Sequence, residues 1–128
     1  MKGIELLLLS VGALIGAFLR YKIASSPILF GIFPVNTLIV NVLGSFVLGI
    51  FWALSVSFNL DSKYTVLIAI GFCGTFTTMS TFALESINLL ETKHFISFGL
   101  NIIANVGLSL GAIIAGKSLI TILMKFIS

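Results

Sequence analysis

The stretch GFCGTFTTMSTF, residues 71–82, sets two glycines and five hydroxyl side chains (Thr75, Thr77, Thr78, Ser80 and Thr81) among Phe72, Phe76 and Phe82. Gly71 and Gly74 weaken a helix, and Ser or Thr hydroxyls bond nearby backbone groups in competition with it. One outcome is a Ser/Thr-rich kink. The other is a true break, with the carbonyl end of one half-helix and the N–H end of the next both opening into the middle of the element. Such ends carry partial charges of opposite sign and hold ions. Farther on, Thr81 and Glu85 are four residues apart, so a hydroxyl and a carboxylate share one helix face.

Two more polar sets lie in apolar sequence. Asn36 and Thr37 open one run, followed by Asn41, Gly44 and Ser45, with Asn41 and Ser45 on one face. Asn101, Asn105 and Ser109 follow an i, i+4, i+8 spacing and form a single stripe. Each set has two readings, hydrogen-bonding glue between helices or the lining of a path. Two stripes beside a broken helix favour the path. Gly44, Ser45 and Gly49, and separately Gly107, Gly111 and Gly116, are small-residue surfaces for close helix packing.

The elements that must position these residues follow from composition. Of 128 residues, 59% are hydrophobic and 9% charged, and the mean hydropathy is +1.24. Such a chain lacks the polar shell of a soluble domain. About 20 residues cross a bilayer as helix, so four spans nearly fill the chain. Expected spans are 4–23, 35–56, 64–90 and 95–119, in one all-α membrane domain covering 1–128, with the third span broken at its middle. Lys2 and the apolar run after it resemble a signal peptide, but apolarity continues to Arg20 and Lys22, so the run reads as a retained first span. Ser25-Ser26-Pro27 ends that span, and Glu91-Thr92-Lys93-His94 is the last turn.

Positive charges are almost balanced across the spans. Lys2, Lys63 and Lys125 fall on one side, Arg20, Lys22 and Lys93 on the other, and Lys117 can snorkel to the first. That bias is too small to fix an orientation. Either something else orients the chain, or copies insert both ways and pair antiparallel. The lone Cys73 forms no intrachain disulfide and reads as a packing residue. Trp52 reads as an interfacial or packing residue and His94 as a turn residue. No nucleophile–base pair or metal-ligand cluster is present, so no enzyme is expected. The net charge of +3 comes without a basic face, which excludes nucleic acid.

GFCGTFTTMSTF followed by ALE, VNTLIVNVLGSF, GALIGAFLRY and NVGLSLGAIIAG, in their order across four spans, resemble the Fluc/CrcB fluoride channels. The resemblance implies a passive, fluoride-selective channel in the plasma membrane (the inner membrane where there are two) that exports fluoride and relieves its toxicity. It implies an antiparallel dual-topology homodimer with two pathways and one structural Na+ at its centre. The Na+ would be held by the backbone carbonyls of Gly74 and Thr77 from each subunit. The fluoride pathway would take in Asn41, Phe82, Ser80, Thr81, Glu85, Ser109, Arg20 and Thr37. Here Arg20 attracts anions into a vestibule, unless it is only an interfacial anchor, and the hydroxyls, the Asn41 amide and the Phe82 ring edge supply donors. Met79 stands where the family has the first phenylalanine of a TTFSTF segment. A thioether is a poorer anion partner than a ring edge, which leaves open a homodimer or one half of a heterodimer with a paralogous chain. A rival reading is a proton-coupled exporter of the small multidrug-resistance type, which needs a membrane-embedded acid in the first span. Only Glu5, at the membrane edge, is there. A non-transporting membrane assembly subunit explains the glycines alone.

Overall fold

The computed structural model describes residues 3–26 and 31–127; Lys2 and Pro27 lie outside them. Four helical stretches are long and apolar enough to cross a membrane, Gly3–Ala24, Val35–Phe58, Ser62–Glu91 and Phe95–Ile127. The first is α1 (Gly3–Ala24) and the second α2 (Val35–Phe58). The third is composite: α3 (Ser62–Tyr64), a π-helical segment (Thr65–Cys73), α4 (Gly74–Phe76) and, after a break, α5 (Met79–Glu91). The fourth is α6 (Phe95–Ile127). The last helix runs on to Ile127, beyond Leu119. After Lys117 the chain reads SLITILMKFI, with no glycine or proline to stop it.

Helix ends follow local chemistry. Asn59 closes α2 in the left-handed region at φ 47°, with its N–H on Ser55 O, a geometry Asn tolerates better than most residues. Asp61 caps the next helix by accepting from the Lys63 N–H at 2.9 Å.

Two helix pairs organise the molecule, each closed by glycine. On the first, a Cβ at Gly12 would meet Leu67 O, and one at Gly16 would meet Thr75 Oγ1 and Phe72 O. Backbone therefore lies directly on backbone where α1 runs parallel to the π-helical segment. Thr75 Oγ1 reaches Ala13 O across this contact at 3.0 Å. In the second pair α2 and α6 are parallel, because Asn41 meets Asn105 and Gly49 lies against Ile113. Gly116 likewise has no room for a Cβ against Phe46 O. Gly107 and Gly111 have nothing within 4 Å, so that part of the expected small-residue surface packs against nothing among the described residues.

The third span is broken at its middle, but not at its glycines. Gly71 is where α1 approaches, with Leu9 O 2.9 Å from the place of a Cβ. The chain leaves the helix at Thr77 (ψ 159°) and Thr78 (φ −149°, ψ 120°). Thr78 then caps α5, its Oγ1 accepting from Thr81 N–H at 3.2 Å. That is N-cap chemistry, and it explains why the break falls on threonine.

Candidate functional site

Asn41 clamps the break. Its Oδ1 accepts from the Thr78 N–H at 2.8 Å, and its Nδ2 donates to Thr78 O at 3.2 Å. In a continuous helix the Thr78 N–H would bond Gly74 O, so this clamp releases the Gly74 carbonyl. Thr78 itself is buried, and a buried backbone amide in a membrane needs a partner. Asn41 supplies it from a neighbouring helix.

The expected site residues gather into three groups around this point. A groove of about 440 Å³ is bordered by Asn41, Met79, Phe82, Ser109, Gly74 and Thr77. Met79 is 72% exposed there, and Ser109 makes no hydrogen bond among the described residues. A second groove of about 310 Å³ is bordered by Arg20, Thr37, Ser80 and Thr81. Thr78 borders both. Glu85 borders a third concavity, with Asn88, Thr92 and His94. It joins the second group because Thr37 Oγ1 donates to Glu85 Oε1 at 2.7 Å. The other oxygen, Glu85 Oε2, is buried without a partner.

The electrostatics of the second groove favour an anion. The N-terminus of α5 opens there, and its unpaired N–H groups carry partial positive charge. Arg20 sits beside it, with Nη1 3.4 Å from Thr77 O. Thr81 Oγ1 accepts from Thr78 Oγ1 at 3.0 Å, which leaves the Thr81 hydrogen to donate into the groove. Glu85 opposes an anion when ionised; among the described residues its carboxylate accepts one side-chain hydrogen bond, from the Thr37 hydroxyl.

Carbonyl oxygen is the ligand of hard cations, and the two carbonyls expected to hold Na+ fit that chemistry. Gly74 is exposed, its carbonyl has lost the Thr78 donor, and Thr77 borders the same groove. Thr77 O also receives Arg20, but a carbonyl has two lone pairs. Two oxygens from one chain fall short of a hard cation's needs.

Several residues that hold the site belong to the polar stripes seen in the sequence but were not assigned to the fluoride pathway, and Ser86 was not singled out at all. Asn101 is fully buried and Asn105 is 5% exposed. A chain runs from Asn41 Nδ2 to Asn105 Oδ1 (2.9 Å), from Asn105 Nδ2 to Asn101 Oδ1 (2.9 Å), and from Asn101 Nδ2 to Ser86 Oγ (3.0 Å). It ends with Ser86 Oγ donating to Phe82 O at 2.7 Å. The i, i+4 stripe on α6 is thus hydrogen-bonded glue at Asn101 and Asn105 and groove lining at Ser109. Asn36 Nδ2 ties down the end of α1 through Ile23 O, Ala24 O and Ser26 O. Spacing on α6 indicates the stripe; nothing in the sequence indicates that Ser86 would face it.

Comparison with known proteins identifies the family. Residues 7–117 match the family model described as CrcB-like protein, Camphor Resistance (CrcB). A protein of Nitrosopumilus maritimus named "Fluoride-specific ion channel FluC" is 55% identical over 125 residues, covering 98% of this chain and 99% of the relative. Proteins of the same name from Methanococcus maripaludis and Rhizobium etli are 44% and 41% identical, covering 88% and 94% of this chain and 93% and 99% of their own. These relatives are named as ion channels, not enzymes or exporters. With four apolar helices of spanning length and a match over most of its sequence, the chain is a multi-pass membrane protein belonging to the CrcB family of fluoride-specific ion channels.

Proposed function

We propose that this chain forms a passive, fluoride-selective channel that lets fluoride leave the cell across the plasma membrane. The carrying observation is the break at Thr77–Thr78, flanked by two grooves whose lining includes hydroxyl and amide groups. Fluoride is small and strongly hydrated, so a narrow path must replace its water with hydrogen-bond donors that release it again. Ser80, Thr81 and Ser109 hydroxyls, the Asn41 amide and the Phe82 ring edge are such donors, and Arg20 draws anions to one end. Thr37 on α2 and Glu85 on α5 continue the polar lining.

The working unit in this reading is an antiparallel dimer of two copies, all four spans of each acting as one membrane domain. Gly74 and Thr77 lie on an open face, and a two-fold axis through it turns two carbonyls into four. A bound Na+ would supply the positive charge that neutralises those carbonyl ends; Gly74 and Thr77 would hold it. The near-balance of Lys and Arg across the spans supports insertion in both orientations. Two fluoride pathways then result, one on each side of the centre.

The test is efflux from proteoliposomes containing this chain alone, read with a fluoride electrode after valinomycin releases the potential. Fast, valinomycin-dependent fluoride efflux without matching chloride release is the expected result. Silence from this chain, restored by Met79→Phe, assigns the defect to the missing ring. Silence restored only by co-expressing a paralogous chain makes it half of a heterodimer. Silence under both conditions overturns the reading.

A further inference from the structure

Asn41 has two amide hydrogens and both are engaged, one on Thr78 O and one on Asn105 Oδ1. Its orientation is not free. The Thr78 N–H is a fixed backbone donor and must meet the Asn41 oxygen. At the far end of the chain the Phe82 carbonyl is a fixed acceptor for Ser86. Between these anchors each amide has one possible direction, so Asn105 presents its oxygen, never its NH2, to Asn41. Asn105 Nδ2 is locked in turn onto Asn101 O and Oδ1, at 3.0 and 2.9 Å. An anion that takes a hydrogen bond from Asn41 must first displace Asn105 Oδ1, which borders the same groove.

We propose that Asn105 is a specificity-determining residue, an internal competitor whose oxygen occupies the Asn41 N–H that the passing anion needs. The proposal rests on the fluoride-channel reading above. Only an acceptor stronger than an amide oxygen gains by the exchange. Fluoride, compact and charged, is such an acceptor; chloride spreads the same charge over a larger surface and gains less. Competition thus raises the threshold against the weaker acceptor, which is discrimination by an opposing element. It also weakens fluoride binding at Asn41, so that the ion leaves readily. Asn101, fully buried, is a positioning residue that keeps the Asn105 oxygen forward.

Flux from proteoliposomes is measured against internal fluoride concentration, and chloride efflux in parallel, for the wild type and Asn105→Leu. Leucine keeps the branching and the number of side-chain heavy atoms and removes the acceptor. The half-saturating fluoride concentration falls about five-fold, as expected for one hydrogen bond released, the maximal rate falls, and the chloride-to-fluoride flux ratio rises. A maximal rate that falls with half-saturation unchanged or raised, or an unchanged flux ratio, overturns the proposal, because lost packing alone does that. If Asn105→Leu does not fold, Asn101→Leu combined with Asn105→Leu leaves no buried amide oxygen unpaired on α6 and is read the same way. A wild type that conducts no fluoride removes the channel reading and this inference together. A conducting wild type with an unshifted variant removes the inference alone.

Discussion

Asn41→Leu is the sharpest test of what holds the third span open. Leucine keeps the branching but removes three hydrogen bonds, two to the Thr78 backbone and one to Asn105. The Thr78 N–H is buried, and leaving it unpaired costs about 2 kcal/mol. The Thr78 carbonyl and Asn105 Oδ1 each lose a donor, at about 1 kcal/mol apiece. The expected loss is therefore about 4 kcal/mol, a large part of the stability of a domain this size. Reversible unfolding in mixed micelles, followed by circular dichroism, reads the total. Amide hydrogen exchange at Thr78 reads the local part and should accelerate at least about ten-fold, the factor for 1.4 kcal/mol. Ser45→Ala is the control: Ser45 borders the same groove but makes no hydrogen bond among the described residues, and its loss should cost under about 0.5 kcal/mol. If Asn41→Leu is no more destabilising than Ser45→Ala, and Thr78 exchanges as slowly as before, the break is held by something other than Asn41.

Gly16→Val drives a branched side chain into Phe72 O and Thr75 Oγ1 and should destabilise the fold by about 2–3 kcal/mol in the same unfolding assay, whereas Gly99→Ala, with nothing within 4 Å, should be neutral or mildly stabilising. Thr37→Val removes the donor to Glu85 Oε1; losing a bond to a carboxylate is worth about 1.5–3 kcal/mol, so fluoride flux should fall about ten-fold or more while Thr37→Ser stays near wild type. Arg20→Gln should lower fluoride flux several-fold at low ionic strength, and the deficit should shrink as salt is raised, because screening removes the field that Arg20 supplies. A deficit that does not change with salt would make Arg20 a structural partner of Thr77 O and nothing more.

The four spans are legible in the sequence because length and apolarity alone determine them. The break was legible too, within the stretch of glycines and threonines from Gly71 to Thr78; that Thr78 capping and the Asn41 clamp fix it at Thr77–Thr78 was not. Glycine marks both flexibility and close approach, and only the position of α1 decides between them at Gly71. The π-helical segment Thr65–Cys73 had no signal in the sequence; it packs on α1 at Gly12 and Gly16. For the site, residue types gave the donors but not their pairing. Asn101 and Asn105 share a face by spacing, yet only the parallel packing of α2 on α6 brings Asn105 to Asn41. Arg20 was readable as a charge near the end of the first span; its approach to Thr77 O depends on how α1 lies against α4.

The π-helical segment carries one further consequence, for the angular bookkeeping of the third span. Bonding five residues back, as Gly74 N–H does to Ala69 O, accommodates an extra residue where an α-helix would have none. Each residue of an α-helix turns the chain by about 100°. The wide turns therefore act as a phase shifter upstream of the break, setting the direction in which Gly74 and Thr77 present their carbonyls. Deleting one residue between Thr65 and Ala69 would let the segment relax to ordinary α-helix and swing the break by roughly that angle, away from both Arg20 and Asn41. Substitutions in this segment change its packing, whereas a one-residue change in length changes where the break points.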